Sequence, residues 1–221
     1  MHRVTRLAHL VVATIVISAF ATAPALAGTQ PPFEASVERL DATTMAEMTG
    51  VSWHRGCPVP LSDLRVIHMT FWGFDREAHT GDLVVHRRWA EDLVHVFRRI
   101  YRARFPIRRM RAIERYDGND HRSMRADNTS AFNCRYVAGT SRWSQHAYGR
   151  AIDLNPVENP YVSGDHVSPR AGRRFADRSL QHRGMVHRGD VVWRGFHRLG
   201  WGWGGSWSGA QDYQHFSATG T

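Results

Sequence analysis

The sequence predicts one well-cored domain that mixes helices with short strands, and three observations carry this expectation. The chain has 221 residues, enough for one sizeable core and not so many that a second is required. One long stretch, from about Arg88 to Arg104, repeats apolar residues at helical spacing. Around it lie short β-like runs bounded by glycine and proline.

Taken in order, residues 28–34 (GTQPPFE) read as an unstructured or tethering start. Asp41 is placed to cap a helix that reaches Met48 and stops at Gly50. Residues 53–64 contain Cys57, Pro58 and Pro60, which predicts an irregular, pinned loop. RVIHMTF at 65–71 reads as a strand, Gly73 and Asp75 mark a turn, and Leu83 to Val85 form a second strand. In the main helix Trp89, Leu93, Val96, Phe97, Ile100 and Tyr101 share one face, and arginines fill the solvated one. Pro106 ends it, and alternation from Ile107 to Glu114 predicts a strand. Residues 117–133 are polar and rich in turn formers, which predicts a long loop lining the site. The two Asn-Pro steps of NPVENPYV, after Asp153, require extended or turning backbone. Asp190 caps a helix over 191–199 with Gly200 as its C′ residue, and the tryptophan- and glycine-rich run that follows leads to a final strand around His215.

The first 27 residues stand apart. Arg3 and Arg6 precede an apolar run from Leu7 to Phe20, and Ala25-Leu26-Ala27 forms a small-x-small cleavage site, so 1–27 reads as a secretory signal peptide. A membrane anchor is the alternative, but the run is short for a span and Pro24 interrupts its end. Residues 28–55 are assigned to an N-terminal extension and helix, and 56–221 to the main domain. The expected location is secreted or wall-associated, with no membrane contact after cleavage. Formal charge is +9, and removing Arg3 and Arg6 leaves 27 minus 20, or +7. All of it is arginine, because the chain has no lysine. A basic surface outside a cell suits an acidic wall polymer or lipid headgroups better than nucleic acid, for which no motif is present. Its blander reading is a solvated, arginine-rich surface. Two cysteines in an oxidising compartment favour a disulfide between Cys57 and Cys134; a zinc pair is the weaker rival, since neither has a CxxC partner.

The chemistry concentrates in SQHAYGRAIDLN, residues 144–155, where His146 precedes Asp153 by seven positions. A carboxylate between Ile152 and Leu154 is costly to desolvate unless a cation meets it, and a metal ion is the simplest one. Near the C-terminus, Asp212 and His215 supply a second carboxylate and a second imidazole. Zinc in a hydrolase takes three protein ligands and keeps one position open. His146, Asp153 and His215 therefore read as ligands of one Zn2+, with Asp212 as the base that accepts a proton from the attacking water and passes it to the leaving amine. Residues three apart on a strand face opposite ways, so Asp212 should sit in a turn that His215 leaves to open the strand. Arg135 is the candidate for an oxyanion or a substrate carboxylate. Gly149 and Ala151 permit close backbone approach, and Ser144 and Tyr148 are supporting residues. Trp201, Trp203 and Trp207 read as core or cleft wall rather than a sugar platform, and His166, His182, His187 and His197 as surface residues.

Ser144, His146, Gly149, Ala151 and Asp153 fit S-x-H-x-x-G-x-A-x-D, and Asp212 with His215 fits [DE]-x-x-H. In these motifs the chain resembles the zinc D-alanyl-D-alanine carboxypeptidase and L-alanyl-D-glutamate endopeptidase family. GCPVPLSDLR, FPIRRM, NTSAFNCR, GWGWGG and DYQHF extend the likeness to its carboxypeptidase-like branch of secreted bacterial wall peptidases. The resemblance implies a small α+β domain with a central, mainly antiparallel sheet, flanking helices and one zinc cleft. It implies the same three ligands and Asp212 as base, where many relatives carry glutamate. It also implies peptidoglycan stem peptides as substrate, cut as a D,D-carboxypeptidase or as an endopeptidase. A monomer is expected, though no residue pattern carries that expectation. A zinc-containing wall-binding module without catalysis is the reading from another class. FDR at 74–76 departs from the FDG expected of relatives.

Overall fold

In the computed structural model, which describes residues 1–2 and 30–221, the longest ladder is a three-stranded antiparallel meander. Its members are β1 (Ala35–Arg39), β2 (Leu64–Trp72) and β3 (Ala78–His86), in the order β1-β2-β3. Register runs Ala35↔Met69 and Leu64↔His86, so Ile67, Met69 and Phe71 share one buried face with Leu83 and Val85. Between β1 and β2 lies α1 (Ala42–Met48), whose cap Asp41 accepts from Thr44 N–H at 2.7 Å as its sequence position predicts. Strand β3 is longer than the predicted core of Leu83 to Val85.

Helix α2 (Ala90–Arg102) lays Leu93, Val96, Phe97 and Ile100 on that sheet face, while Tyr101 is buried against Phe33 and Trp72. Each large apolar side chain fully buried there contributes about 1.5–3 kcal/mol. Helix α4 (Val191–Arg198), capped by Asp190 through Trp193 N–H at 2.7 Å, packs across α2. Gly195 lets it approach Val96, and Phe97 meets Phe196 edge to face at 6.4 Å.

The remaining strands are short: β4 (Arg109–Met110), β5 (Asn128–Thr129), β6 (Ala151–Asp153), β7 (Tyr161–Ser163), β8 (His166–Ser168), β9 (Gly202–Trp203), β10 (Gln211–Asp212) and β11 (His215–Ser217). They form two further antiparallel sheets, β10-β7-β8 and β6-β11-β9, and a parallel pair β4-β5. The class is therefore α+β with mainly antiparallel sheets, and its strands are divided among several small sheets.

Three expectations need correction. The alternation of Ile107 to Glu114 yields only the two residues of β4, because Asn128 turns its side-chain amide onto both the N–H and C=O of Arg111 and ends the ladder. The predicted loop 117–133 contains helix α3 (Asp120–Arg125), nucleated where left-handed Asp117 and Gly118 deliver Asn119 as a cap accepting from Arg122 N–H. The start is also less free than its composition suggests. Glu34 and Thr70 exchange main-chain and hydroxyl hydrogen bonds, and β1 pairs directly with β2. The signal peptide assigned to 1–27 lies outside the described residues, apart from Met1 and His2. Residues 31–221 form one unit, and among the described residues no helix is long and apolar enough to cross a membrane.

Candidate metal centre

Strands β6 and β11 pair antiparallel with Asp153 opposite His215, so two side chains far apart in sequence leave one sheet side by side. His146 arrives from a 3-10 turn, Gln145–Tyr148, whose cap Ser144 accepts from His146 N–H at 3.3 Å. Gly149 ends that turn at φ 62, and a β-carbon there would lie 2.5 Å from the main-chain nitrogen of His86, so only glycine fits. Ala151 is fully buried beside it, and the Tyr148 ring lies 4.3 Å beneath the Arg150 guanidinium.

The three side chains converge. His146 Nε2 lies 3.2 Å from Asp153 Oδ2, His215 Nδ1 lies 3.0 Å from Asp153 Oδ1, and the two ring nitrogens are 3.3 Å apart. All three residues are buried. Outer partners assign the tautomers: His146 donates from Nδ1 to Ala131 O, and His215 donates from Nε2 to Thr221 O at 3.3 Å. The inner nitrogens of the two histidines and the Asp153 carboxylate therefore face one point across hydrogen-bonding distances, an arrangement in which a metal ion can take the place of a shared proton. Donors around tetrahedral zinc, bonded at about 2.0–2.1 Å, stand about 3.3 Å from one another. The observed separations fit that spacing, and the nitrogen and oxygen donors suit zinc chemically.

Electrostatics agree with a cation site. Burial alone would raise Asp153, yet the charge of His146 and hydrogen bonds from both histidines outweigh it and hold the carboxyl well below the usual range. Burial would lower His215, but its bond to Asp153 and the charges of Asp153 and Asp212 raise it. Without metal, a proton takes the cation's place.

Asp212 and Arg135 line the same cleft, a cavity of about 850 Å³ whose walls also include Asp120, Trp143, His166 and Trp207. Asp212 is pushed up to about 6, first by burial and then by the negative charge of Asp153, while Gln214 donates to its Oδ1 at 3.0 Å. It does not sit in the predicted turn. It belongs to β10, paired with Tyr161, and residues 213–214 make the turn from which His215 opens β11. Arg135 donates to Asp120 Oδ2 at 2.8 Å, and its Nε is buried without a partner. Cys57 and Cys134 are joined in a disulfide with Cα atoms 6.0 Å apart, which removes the thiolates a zinc pair would need, although His54 stands beside them.

Sequence reasoning missed Asp120, which no spacing links to Arg135, and the outer acceptors Ala131 and Thr221, which act through main-chain oxygens that no side-chain pattern reveals. His166, read as surface, is exposed but lines the cleft. His187 is only partly exposed, and its Nε2 is buried without a partner. Trp201 and Trp203 join the core, whereas Trp207 is cleft wall.

Residues 138–218 match the sequence model of a peptidase family described as D-alanyl-D-alanine carboxypeptidase. That segment carries His146, Asp153, Asp212 and His215. No curated protein and no solved structure matches the chain.

Proposed function

We propose that the protein is a secreted zinc metallopeptidase that hydrolyses peptidoglycan stem peptides in the manner of a D-alanyl-D-alanine carboxypeptidase. One observation carries the reading: three buried ligand groups stand at the spacing of zinc donors inside the segment that matches a peptidase family. Zinc held by His146, Asp153 and His215 would polarise the scissile carbonyl and acidify a water molecule.

The chain's own groups supply the rest. Asp212, at about 6, is largely ionised at neutral pH yet close enough to neutrality to take a proton from water and return it to the leaving amine. Gln214 fixes the orientation of its carboxylate. Asp120 holds Arg135 against the cleft wall, so the guanidinium can meet a developing oxyanion or a substrate carboxylate. Export through residues 1–27, monomeric action, and attraction of the +7 mature chain to anionic wall polymers complete the proposal.

The test is mass spectrometry of peptidoglycan fragments incubated with zinc-loaded protein, beside His146→Ala and Asp212→Ala. Release of free D-alanine supports the carboxypeptidase form, and a longer fragment moves the reading to an L-alanyl-D-glutamate endopeptidase. Loss of the base should slow turnover by about 10²–10⁴ with zinc content retained. Full activity in Asp212→Ala removes the mechanism, and wall binding without any product leaves a non-catalytic module.

A further inference from the structure

Four large hydrophobic side chains are exposed among the described residues, Met1, Val51, Tyr136 and Leu180, and Tyr136, at 49%, is the aromatic one. Its ring is not loose. Tyr136 and Trp143 face each other as an antiparallel bridge, flanked by Val137 N–H to Arg142 O at 2.8 Å and Ser144 N–H to Arg135 O at 3.0 Å. The two rings stack at 4.0 Å with planes 19° apart, and the Trp143 ring also lies 6.1 Å from that of His54. Tyr136 stays half exposed while stacked on Trp143, so part of its apolar surface is held open to solvent.

The position of that plate is informative. Trp143 lines the metal cleft, together with Val137 and Arg142 from the same hairpin. Trp143 precedes His146 by three residues, which keeps its Cα within about 11 Å of that of the ligand, and Tyr136, stacked on Trp143, stands at the rim and outside the cleft lining. An exposed apolar surface beside a substrate cleft marks a place where substrate continues. A pyranose ring offers an apolar C–H face and a rim of hydroxyls. The Tyr136 ring suits that face, and its phenol and the Arg142 guanidinium suit the rim.

We infer that the Tyr136–Trp143 stack is a saccharide subsite that takes the amino-sugar unit from which a stem peptide hangs. This rests on the preceding reading that the substrate is peptidoglycan. Because hairpin and stacking fix the ring in advance, little side-chain freedom is lost on binding, and discrimination appears in KM rather than kcat.

The experiment compares a disaccharide-pentapeptide with the free pentapeptide of identical sequence, for wild type, Tyr136→Ala and Tyr136→Trp. The ratio of kcat/KM between the two substrates should fall about ten-fold in Tyr136→Ala, through KM, and recover in Tyr136→Trp. Titration with the peptide-free disaccharide should change tryptophan fluorescence saturably in wild type and not in Tyr136→Ala. An unchanged ratio, equal losses on both substrates, or absence of disaccharide binding overturns the subsite. If wild type cuts neither substrate, the peptidase reading fails, and the disaccharide titration still decides this one.

Discussion

Glu158 lies 3% exposed in the turn after Asp153, with Oε2 unpartnered and Oε1 3.8 Å from the Arg108 guanidinium. Burial, then the charge and hydrogen bonding of Asp127, push its carboxyl from 4.5 up to about 8. A carboxyl raised by folding binds its proton more tightly in the native state than in the unfolded chain. Stability is therefore full below about pH 4.5 and is lost as pH rises through about 8. A shift of this size, at about 1.4 kcal/mol per unit, corresponds to a loss of about 3–5 kcal/mol between those limits. Glu158→Gln keeps the shape and removes the titration. Urea unfolding of both proteins at pH 4.5, 7 and 9, with the disulfide intact, should give similar stabilities at the lowest pH. At pH 9 the variant should be more stable by about that amount. Other raised groups such as Asp212 are common to both proteins and cancel in the difference. Parallel pH profiles would refute the claim that Glu158 is protonated in the native fold.

Three further outcomes follow from the same structure. Replacing Cys57 and Cys134 by serine opens a loop of 77 residues and should lower stability by about 4–5 kcal/mol in urea unfolding, measured without reductant. Deleting Thr221 removes the acceptor for His215 Nε2–H and should weaken zinc binding about 10–100-fold in competition with a chelator, with a modest fall in the melting temperature of the metal-free protein because buried Ser217 Oγ loses the same acceptor. Arg76 adopts φ 69, so Arg76→Gly should raise stability by up to about 1 kcal/mol, relief of the left-handed strain being partly offset by the freer unfolded chain.

The helices were legible because their signals are local. Asp41 and Asp190 stand where a cap must, and the α2 stripe repeats often enough to declare its face. The convergence of His146, Asp153, Asp212 and His215 was legible for another reason: few residue types suit a metal, and their spacing is short within each half. What stayed hidden depends on pairing at long range. β1 is exposed along much of its length and shows little alternation, so only its partner β2 reveals it as a strand. β4 looked longer than it is because Asn128, far along the chain, takes over the hydrogen bonds of Arg111. At 74–76 the chain carries FDR in a turn, and the positive φ of Arg76 gives the physical reason a glycine would sit there more easily.

Asp153 and His215 are 62 positions apart, yet they are neighbours by hydrogen-bonded register and not by the path of the chain between them. The connecting segment carries four strands, β7 to β10, and helix α4, and none of its length sets the gap between the two side chains. Such a centre tolerates growth or shrinkage of everything in between, provided the two short strands still meet in phase. A shift of β11 by a single residue would turn His215 to the opposite face, so an ion held by the three side chains would favour only this alignment of the strands.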